Sequence, residues 1–209
     1  MSTDEKIHDA AAYFSILGDS AAALAWDRVD LISRLLYRAY QQERTAYLFG
    51  NGGSASLASH FACDLTKGTC VPQRSGEKRF RAIALTDNLA VMTAWANDSG
   101  YEDVFSEQLR GLIQPGDIAF AISCSGNSRN VLKALQVARD AGALTVGLGG
   151  FEGGCMKPLC DVSLIVPSEN MQIIEDLHLS VAHCLFTLVR NQILEEEEPE
   201  QKVVAARAS

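Results

Sequence analysis

The stretch TAYLFGNGGS occupies residues 45–54, and the stretch IAFAISCSGNS occupies residues 118–128. Each begins with a short apolar run, which predicts a buried strand, and ends in a turn rich in glycine and serine. Small residues let the backbone approach a ligand closely, and the N–H groups at the start of a following helix suit an anion. The two turns therefore predict a phosphorylated substrate held at the carboxyl ends of parallel strands.

Strands and helices alternate outward from these two stretches. The predicted strands are 45–49, 82–85, 117–122, 143–148 and 162–166. The predicted helices are 54–66, 88–97, 101–112, 127–140 and 171–192. This alternation predicts an α/β fold with a doubly wound, parallel, five-stranded sheet flanked by helices. Ligands in such sheets bind beyond the carboxyl ends of the strands, where both turns are expected.

Helical and acidic segments precede and follow this alternation. Residues 5–43 carry apolar side chains at spacings of three and four, which predict helix, and Gly18-Asp19-Ser20 is predicted to divide it in two. We expect residues 1–43 to form a helical segment that serves as an oligomer interface or as a lid over the domain's own core. The sheet domain is expected at 44–194. The acidic residues 195–209 predict a disordered tail.

Composition and charge limit the classes of function. The chain has 209 residues, of which 47% are hydrophobic, and a net charge of -8. Duplex nucleic acid is not an expected partner, because phosphate backbones require a basic surface. The N-terminus does not resemble a signal peptide, and no apolar run reaches the ~18 residues that span a bilayer. We therefore expect a cytoplasmic protein without a membrane partner, whose six cysteines are free thiols.

Four side chains with acid/base and metal-binding chemistry fall on two predicted helices. His60 and Asp64 are four residues apart, so they share one face of their helix. Glu175 and His183 are eight residues apart, about two turns along a similar side of the C-terminal helix. Two histidines and two carboxylates suit zinc or another divalent ion with nitrogen and oxygen ligands. Spacing alone leaves open a second interpretation, in which these are partly buried polar residues with ordinary partners.

The order of the motifs along the chain resembles the SIS (sugar isomerase) domain and, more narrowly, the bacterial phosphoheptose isomerases. The resemblance runs from about residue 5 to residue 192. It depends on five motifs, which are GNGGS at 50–54, His60-Phe61-Ala62, Asn97-Asp98, SCSGNS at 123–128, and Glu175-Asp176 with His178 and His183. The serine loop alone specifies only the superfamily, whereas the combination specifies this subgroup.

The resemblance implies an enzymatic activity and a set of active-site residues. Such an enzyme converts sedoheptulose 7-phosphate into D-glycero-D-manno-heptose 7-phosphate through an enediolate, as a homotetramer with active sites at subunit interfaces and, in many members, with a zinc ion. Implied substrate contacts come from Asn51, Gly52, Gly53, Ser54, Asn97, Asp98, Ser123, Cys124, Ser125 and Ser128. His60, Asp64, Glu175 and His183 match the metal and acid/base set, with Asp64 or Glu175 as catalytic base and substrate contact, and His183 as catalytic acid.

Several positions depart from the family pattern. Asp64 stands where the family usually has glutamate, Glu175 where it has glutamine, and Cys124 where it has threonine. One carboxylate is therefore shorter, the opposite ligand gains a charge, and the phosphate loop loses a hydroxyl. A family arginine after the first helix of the sheet domain has no clear counterpart, and Lys67 or Arg74 could substitute for it.

Three other functions stay open at this point. The first is a tetrameric adaptor without catalysis, as in a relative that binds a replication initiator protein. The second is a sugar-phosphate-sensing regulatory domain, which the missing basic helix-turn-helix disfavours. The third is an isomerase of another ketose phosphate, which the changes at Asp64 and Glu175 leave open.

Overall fold

The computed structural model describes residues 7–70 and 78–207. Helices and strands alternate through the described residues. In chain order they are α1 (Ala10–Ala22), α2 (Trp26–Gln41), β1 (Thr45–Gly50), α3 (Gly53–Cys63), β2 (Arg81–Ala84), α4 (Leu89–Asp98), α5 (Ser106–Leu112), β3 (Ile118–Ser123), α6 (Arg129–Asp140), β4 (Leu144–Gly149), β5 (Val162–Ile165) and α7 (Met171–Arg207). A π-helical turn, Asp64–Gly68, continues α3, and 3₁₀ turns cover Tyr101–Asp103 and Gly154–Leu159.

The five strands form one parallel sheet in the order β2-β1-β3-β4-β5. Since β1 lies between β2 and β3, the strand order reverses between β1 and β3, which is where open α/β sheets bind ligands. The register pairs Gly50 with Ile122 and Ser123 with Gly149, so β1, β3 and β4 end almost level. The predicted α/β fold, with its doubly wound parallel sheet flanked by helices, is confirmed.

Each face of the sheet carries its own hydrophobic core, and β3 shows how one strand serves both. All of its residues are buried. Phe120 packs on one face against Phe61 of α3, with ring centroids 5.5 Å apart, while Ala119 and Ala121 belong to the core on the other face, which includes residues of α5 and α6. A strand buried on both faces reads as a continuous apolar run, which is why this stretch was recognisable without alternation.

Two helical predictions were wrong. The break between α1 and α2 falls at residues 23–25 and not at Gly18-Asp19-Ser20, which lie inside α1. An exposed helical glycine costs only about 1 kcal/mol, so Gly18 did not end the helix. Residues 195–207 continue α7 instead of forming a disordered tail, because glutamate, glutamine, lysine, alanine and arginine are strong helix formers.

Two further expectations concern the state of the cysteines and the presence of membrane-spanning helices. All six cysteines are free thiols, as predicted. Among the described residues, none of the helices combines the length and the hydropathy that a membrane crossing requires. Arg74, one of the two candidate replacements for the family arginine, lies outside the described residues.

We predict that Phe120→Ala lowers the free energy of unfolding by about 3–5 kcal/mol, because it leaves a cavity against Phe61 in the core. Urea denaturation followed by circular dichroism measures the change. Leu89→Ala is the matched control, since Leu89 is 71% exposed and its loss is expected to cost less than about 1 kcal/mol. Equal losses for the two variants would contradict this description of the core.

Candidate active site

The turn after β1 contributes to two cavities at the carboxyl edge of the sheet. The first, of about 450 Å³, is here called the histidine cavity and is lined by Gly53, Ser54, Ser56, Leu57, His60, Glu175, Asp176, His178, Leu179 and His183. The second, of about 550 Å³, is the tyrosine cavity and is lined by Asn51, Ser99, Gly100, Tyr101, Glu102, Ser128, Arg129 and Asn130. Of the residues predicted to bind substrate, Gly53, Ser54 and Glu175 line the first cavity, and Asn51 and Ser128 line the second.

Three of the four predicted metal ligands form a cluster, which we call the histidine cluster. His60 lies in the last turn of α3, and its Nε2 is 2.9 Å from Nε2 of His183 in α7. Asp64 Oδ2 lies 3.5 Å from His60 Nε2 and 3.9 Å from His183 Nε2. The ligand atoms all lie within 4.8 Å of one another, and both imidazoles are about half exposed. Two imidazoles and one carboxylate match the donor set of zinc sites that keep a fourth position open.

Glu175 does not join the histidine cluster. Its carboxylate lies against the first residue of α3, since a Cβ built on Gly53 would be 2.9 Å from Glu175 Oε1. Gly53 therefore leaves the space that this carboxylate occupies in the histidine cavity. Burial, followed by the charge of Glu175, raises the pKa of the Cys124 thiol, so Glu175 also lies near the turn at residues 123–128, which we call the phosphate turn after its predicted ligand.

The turn that follows β3, residues 123–128, is held by its own serines. Ser123 Oγ accepts a hydrogen bond from the Gly126 N–H at 3.2 Å, and Ser125 Oγ accepts one from the Asn127 N–H at 3.3 Å. Ser128 occupies the N-cap of α6, but its side chain makes no capping hydrogen bond. The Ser128 hydroxyl is therefore not committed to the helix, and this residue lines the tyrosine cavity.

The turn that follows β4 supports this phosphate turn by backbone contact. Gly126 has φ of +64°, and a Cβ built on it would be 2.1 Å from the carbonyl oxygen of Gly153. The Gly150 N–H donates to the Cys124 carbonyl at 2.9 Å, and the Met156 N–H donates to the Gly126 carbonyl at 2.9 Å. The backbones of the two turns are thus in direct contact, and the Asn127 side chain adds a bond by accepting from the Cys155 N–H at 3.0 Å.

Asn51 connects the turn after β1 to the first turn of α6, which follows the turn after β3. Its Nδ2 donates to Asn130 Oδ1 at 2.9 Å, and Asn130 Nδ2 donates back to Asn51 Oδ1 at 2.8 Å. The Tyr101 hydroxyl also donates to Asn51 Oδ1, at 2.9 Å. Asn97 and Asp98, which the resemblance implied as substrate contacts, are exposed at the end of α4 and line neither cavity.

Several cavity residues have no place in the predicted set. Asp176, His178 and Leu179 line the histidine cavity, and Tyr101 and Arg129 line the tyrosine cavity. The first three follow Glu175 by one, three and four residues, so helical spacing from Glu175 could have found two of them. Nothing in the sequence linked Tyr101 to the turn after β1, because the contact joins residues that are 50 positions apart.

Comparisons with known proteins agree with this fold. The SIS domain family model matches residues 12–150. A phosphoheptose isomerase of Aliarcobacter butzleri is 44% identical over 146 residues, which are 70% of this chain and 75% of the relative. The structure of phosphoheptose isomerase GmhA from Neisseria gonorrhoeae superimposes with a TM-score of 0.78 and 29% identity, covering 87% of this chain and 96% of that one.

A second solved structure gives the same result. A phosphoheptose isomerase from Francisella tularensis superimposes with a TM-score of 0.78 and 28% identity, over 91% of this chain and 100% of that one. The matched family model spans the two turns after β1 and β3, and the superposition extends over most of the helices that surround them. This chain therefore belongs to the SIS domain family and, within it, to the phosphoheptose isomerases.

Proposed function

We propose that this chain is an aldose–ketose isomerase that converts sedoheptulose 7-phosphate into D-glycero-D-manno-heptose 7-phosphate. The observation that carries the proposal is one cavity lined by His60, His183 and Glu175, beside a serine-rich turn suited to phosphate. The names of the relatives support the substrate, since those proteins are phosphoheptose isomerases.

In the open-chain sugar, the reaction removes a proton from the carbon beside the carbonyl and adds a proton to the carbonyl carbon. It requires a base for that proton, an acid for the oxygens, and a group that stabilises the enediolate. Asp64 and Glu175 are the two candidate bases. We favour Glu175, because it lines the histidine cavity, whereas the Asp64 carboxylate lies beside the two imidazoles and outside the cavity lining. Since the family usually has glutamate at position 64 and glutamine at position 175, this assignment moves the base from position 64 to position 175 in this chain.

Substrate binding is assigned to the two serine- and glycine-rich turns. The phosphate would lie at the turn 123–128, where backbone N–H groups at the start of α6 suit an anion and Arg129 adds a positive charge. Gly52, Gly53 and Ser54 would face the reacting end of the sugar. Binding energy from the phosphate can then orient that end for proton transfer.

A zinc ion is proposed at the histidine cluster. His60, Asp64 and His183 fit it by donor type and by distance, and Glu175 is left for the proton transfer. Bound zinc would polarise the sugar carbonyl as a Lewis acid. His183 Nε2 cannot bind a metal ion and move a proton at the same time, so its role as catalytic acid belongs to a metal-free site.

The assembly and compartment are also proposals. We propose that residues 1–43 contribute to a homotetramer with active sites at subunit interfaces and that residues 44–194 form the catalytic SIS domain. Large apolar side chains exposed on α1, α2 and α7 support an interface there, among them Phe14, Trp26 and Leu179. Six free thiols support a cytoplasmic location.

The experiment that tests the proposed function is a turnover assay with sedoheptulose 7-phosphate, after chelation and again with added zinc. We expect heptose product that disappears with the chelator and returns with zinc. His60→Gln should lose zinc binding by at least about 100-fold, which is more than the loss of an outer-shell partner costs. His8→Gln, which lies outside the cluster, is the matched control.

Other results of this assay would change the proposal. Product that is insensitive to chelation would remove the metal and leave His183 as the catalytic acid. A folded protein that binds the sugar phosphate without turnover would favour another ketose phosphate or the adaptor function.

We predict that Glu175→Gln lowers kcat by about 10²- to 10⁴-fold, because the amide cannot accept the proton. The KM for sedoheptulose 7-phosphate is expected to change little, since the amide keeps the size of the side chain. Glu169→Gln, on an exposed residue just before α7, is the matched control. If Glu175→Gln is as active as wild type while Asp64→Asn is inactive, the base is Asp64.

Light scattering coupled to size exclusion is expected to give a mass of about four chains, because the resemblance implies a tetramer. Phe14→Ser should shift the mass toward smaller species if α1 lies in an interface. A wild-type protein that elutes as a monomer at all concentrations would contradict the assembly.

A further inference from the structure

His178 is a buried polar side chain that the proposed mechanism does not use. It is only 1% exposed, lies in α7 between Glu175 and His183, and belongs to the lining of the histidine cavity. A buried histidine requires a reason, because an apolar residue of similar size would avoid the loss of hydration.

The hydrogen bonding of His178 fixes its tautomer. Its Nε2 lies 3.0 Å from the carbonyl oxygen of Gly149, which can only accept, so Nε2 carries the hydrogen and donates it. Its Nδ1 is then an acceptor, and it has no partner among the described residues. Burial lowers the pKa of His178 to about 4, so the ring is neutral near pH 7 and keeps this arrangement.

This hydrogen bond is not needed to satisfy the carbonyl group. The Val166 N–H already donates to the same Gly149 oxygen at 2.8 Å. The unpartnered Nδ1, in contrast, is a buried polar atom that destabilises the folded chain. An apolar side chain would therefore stabilise the folded chain about as well as this imidazole does. The role of His178 is then the link that its hydrogen bond makes between two elements.

The hydrogen bond of His178 connects α7, which carries Glu175 and His183, to the edge of the phosphate turn. Gly149 ends β4 and is paired in register with Ser123, the residue from which the phosphate turn begins. The bond from His178 therefore links α7 to the strand end beside that turn, at a point between Glu175 and His183 on the helix.

We propose that His178 is a positioning residue, which sets the distance from the phosphate turn to the Glu175 carboxylate and to the His183 imidazole of the histidine cluster. The assignment rests on the proposed function. When the phosphate is anchored, the reacting carbons of the substrate lie at a fixed distance from the phosphate turn. A shift of α7 relative to Gly149 would therefore misalign the proton transfer without releasing the phosphate. Errors of about 1 Å in such alignment cost on the order of 100-fold in rate.

The test compares His178→Gln, His178→Asn and His178→Met. The glutamine amide can place an N–H where the imidazole Nε2 lies, the asparagine amide is too short to do so, and methionine fills the space without a donor. We expect kcat to fall by about 10- to 100-fold in the asparagine and methionine variants and to recover most of the wild-type value in the glutamine variant. The KM for sedoheptulose 7-phosphate and the inhibition constant of inorganic phosphate should stay within about twofold of wild type.

Thermal unfolding separates this role from simple stabilisation. The melting temperature of His178→Met is expected to equal or exceed that of wild type, because the unpartnered Nδ1 is removed and Gly149 keeps its bond from Val166. Wild-type kcat in the asparagine and methionine variants would overturn the proposal. So would a loss of kcat in all three variants that parallels a loss of melting temperature. A wild-type protein without activity on the sugar would instead overturn the proposed function, and this assignment with it.

Discussion

The parallel pairing of β1 with β3 is the constraint on which the rest of the site depends. Residues 46–50 lie in register with residues 118–122, so the two turns that follow leave the sheet side by side. Asn51 and Asn130 can exchange hydrogen bonds only because of that register. With β4 ending level with β3, a third turn lies directly behind the phosphate turn. Helices α3 and α7 contact each other and bring the histidine cluster and Glu175 to one cavity.

Much of this arrangement could be predicted from the sequence, because it follows from local patterns. Buried apolar runs identified all five strands to within two residues at each end. The i, i+4 spacing of His60 and Asp64 was sufficient to place them together. The position of Glu175 was not predictable in this way, since spacing along α7 gives height on the helix but not where α3 crosses it. The contacts of Tyr101 and Asn130 with Asn51 could not be predicted from the sequence either, because these residues come together only in the folded chain.

The carboxylates of Asp64 and Glu175 lie in different electrostatic surroundings. Asp64 lies beside two imidazoles, at the start of a π-helical turn, a feature that recurs at functional sites. Glu175 lies against the N-terminal residue of α3, where the helix dipole favours a negative charge. The Glu175 charge therefore lies where backbone N–H groups can stabilise it. The shorter side chain at Asp64 remains within reach of both histidines.

The glycine contact behind the phosphate turn has a consequence for how this enzyme can diversify. Gly126 and Gly153 approach so closely that a Cβ on Gly126 would collide with the Gly153 backbone, so the backbone path of the proposed phosphate anchor is fixed although its side chains can vary. Tyr101 and Arg129 carry no such restriction, since both are exposed in the tyrosine cavity. New preferences for the length or stereochemistry of a sugar would therefore arise in that cavity, while the anchor stays constant.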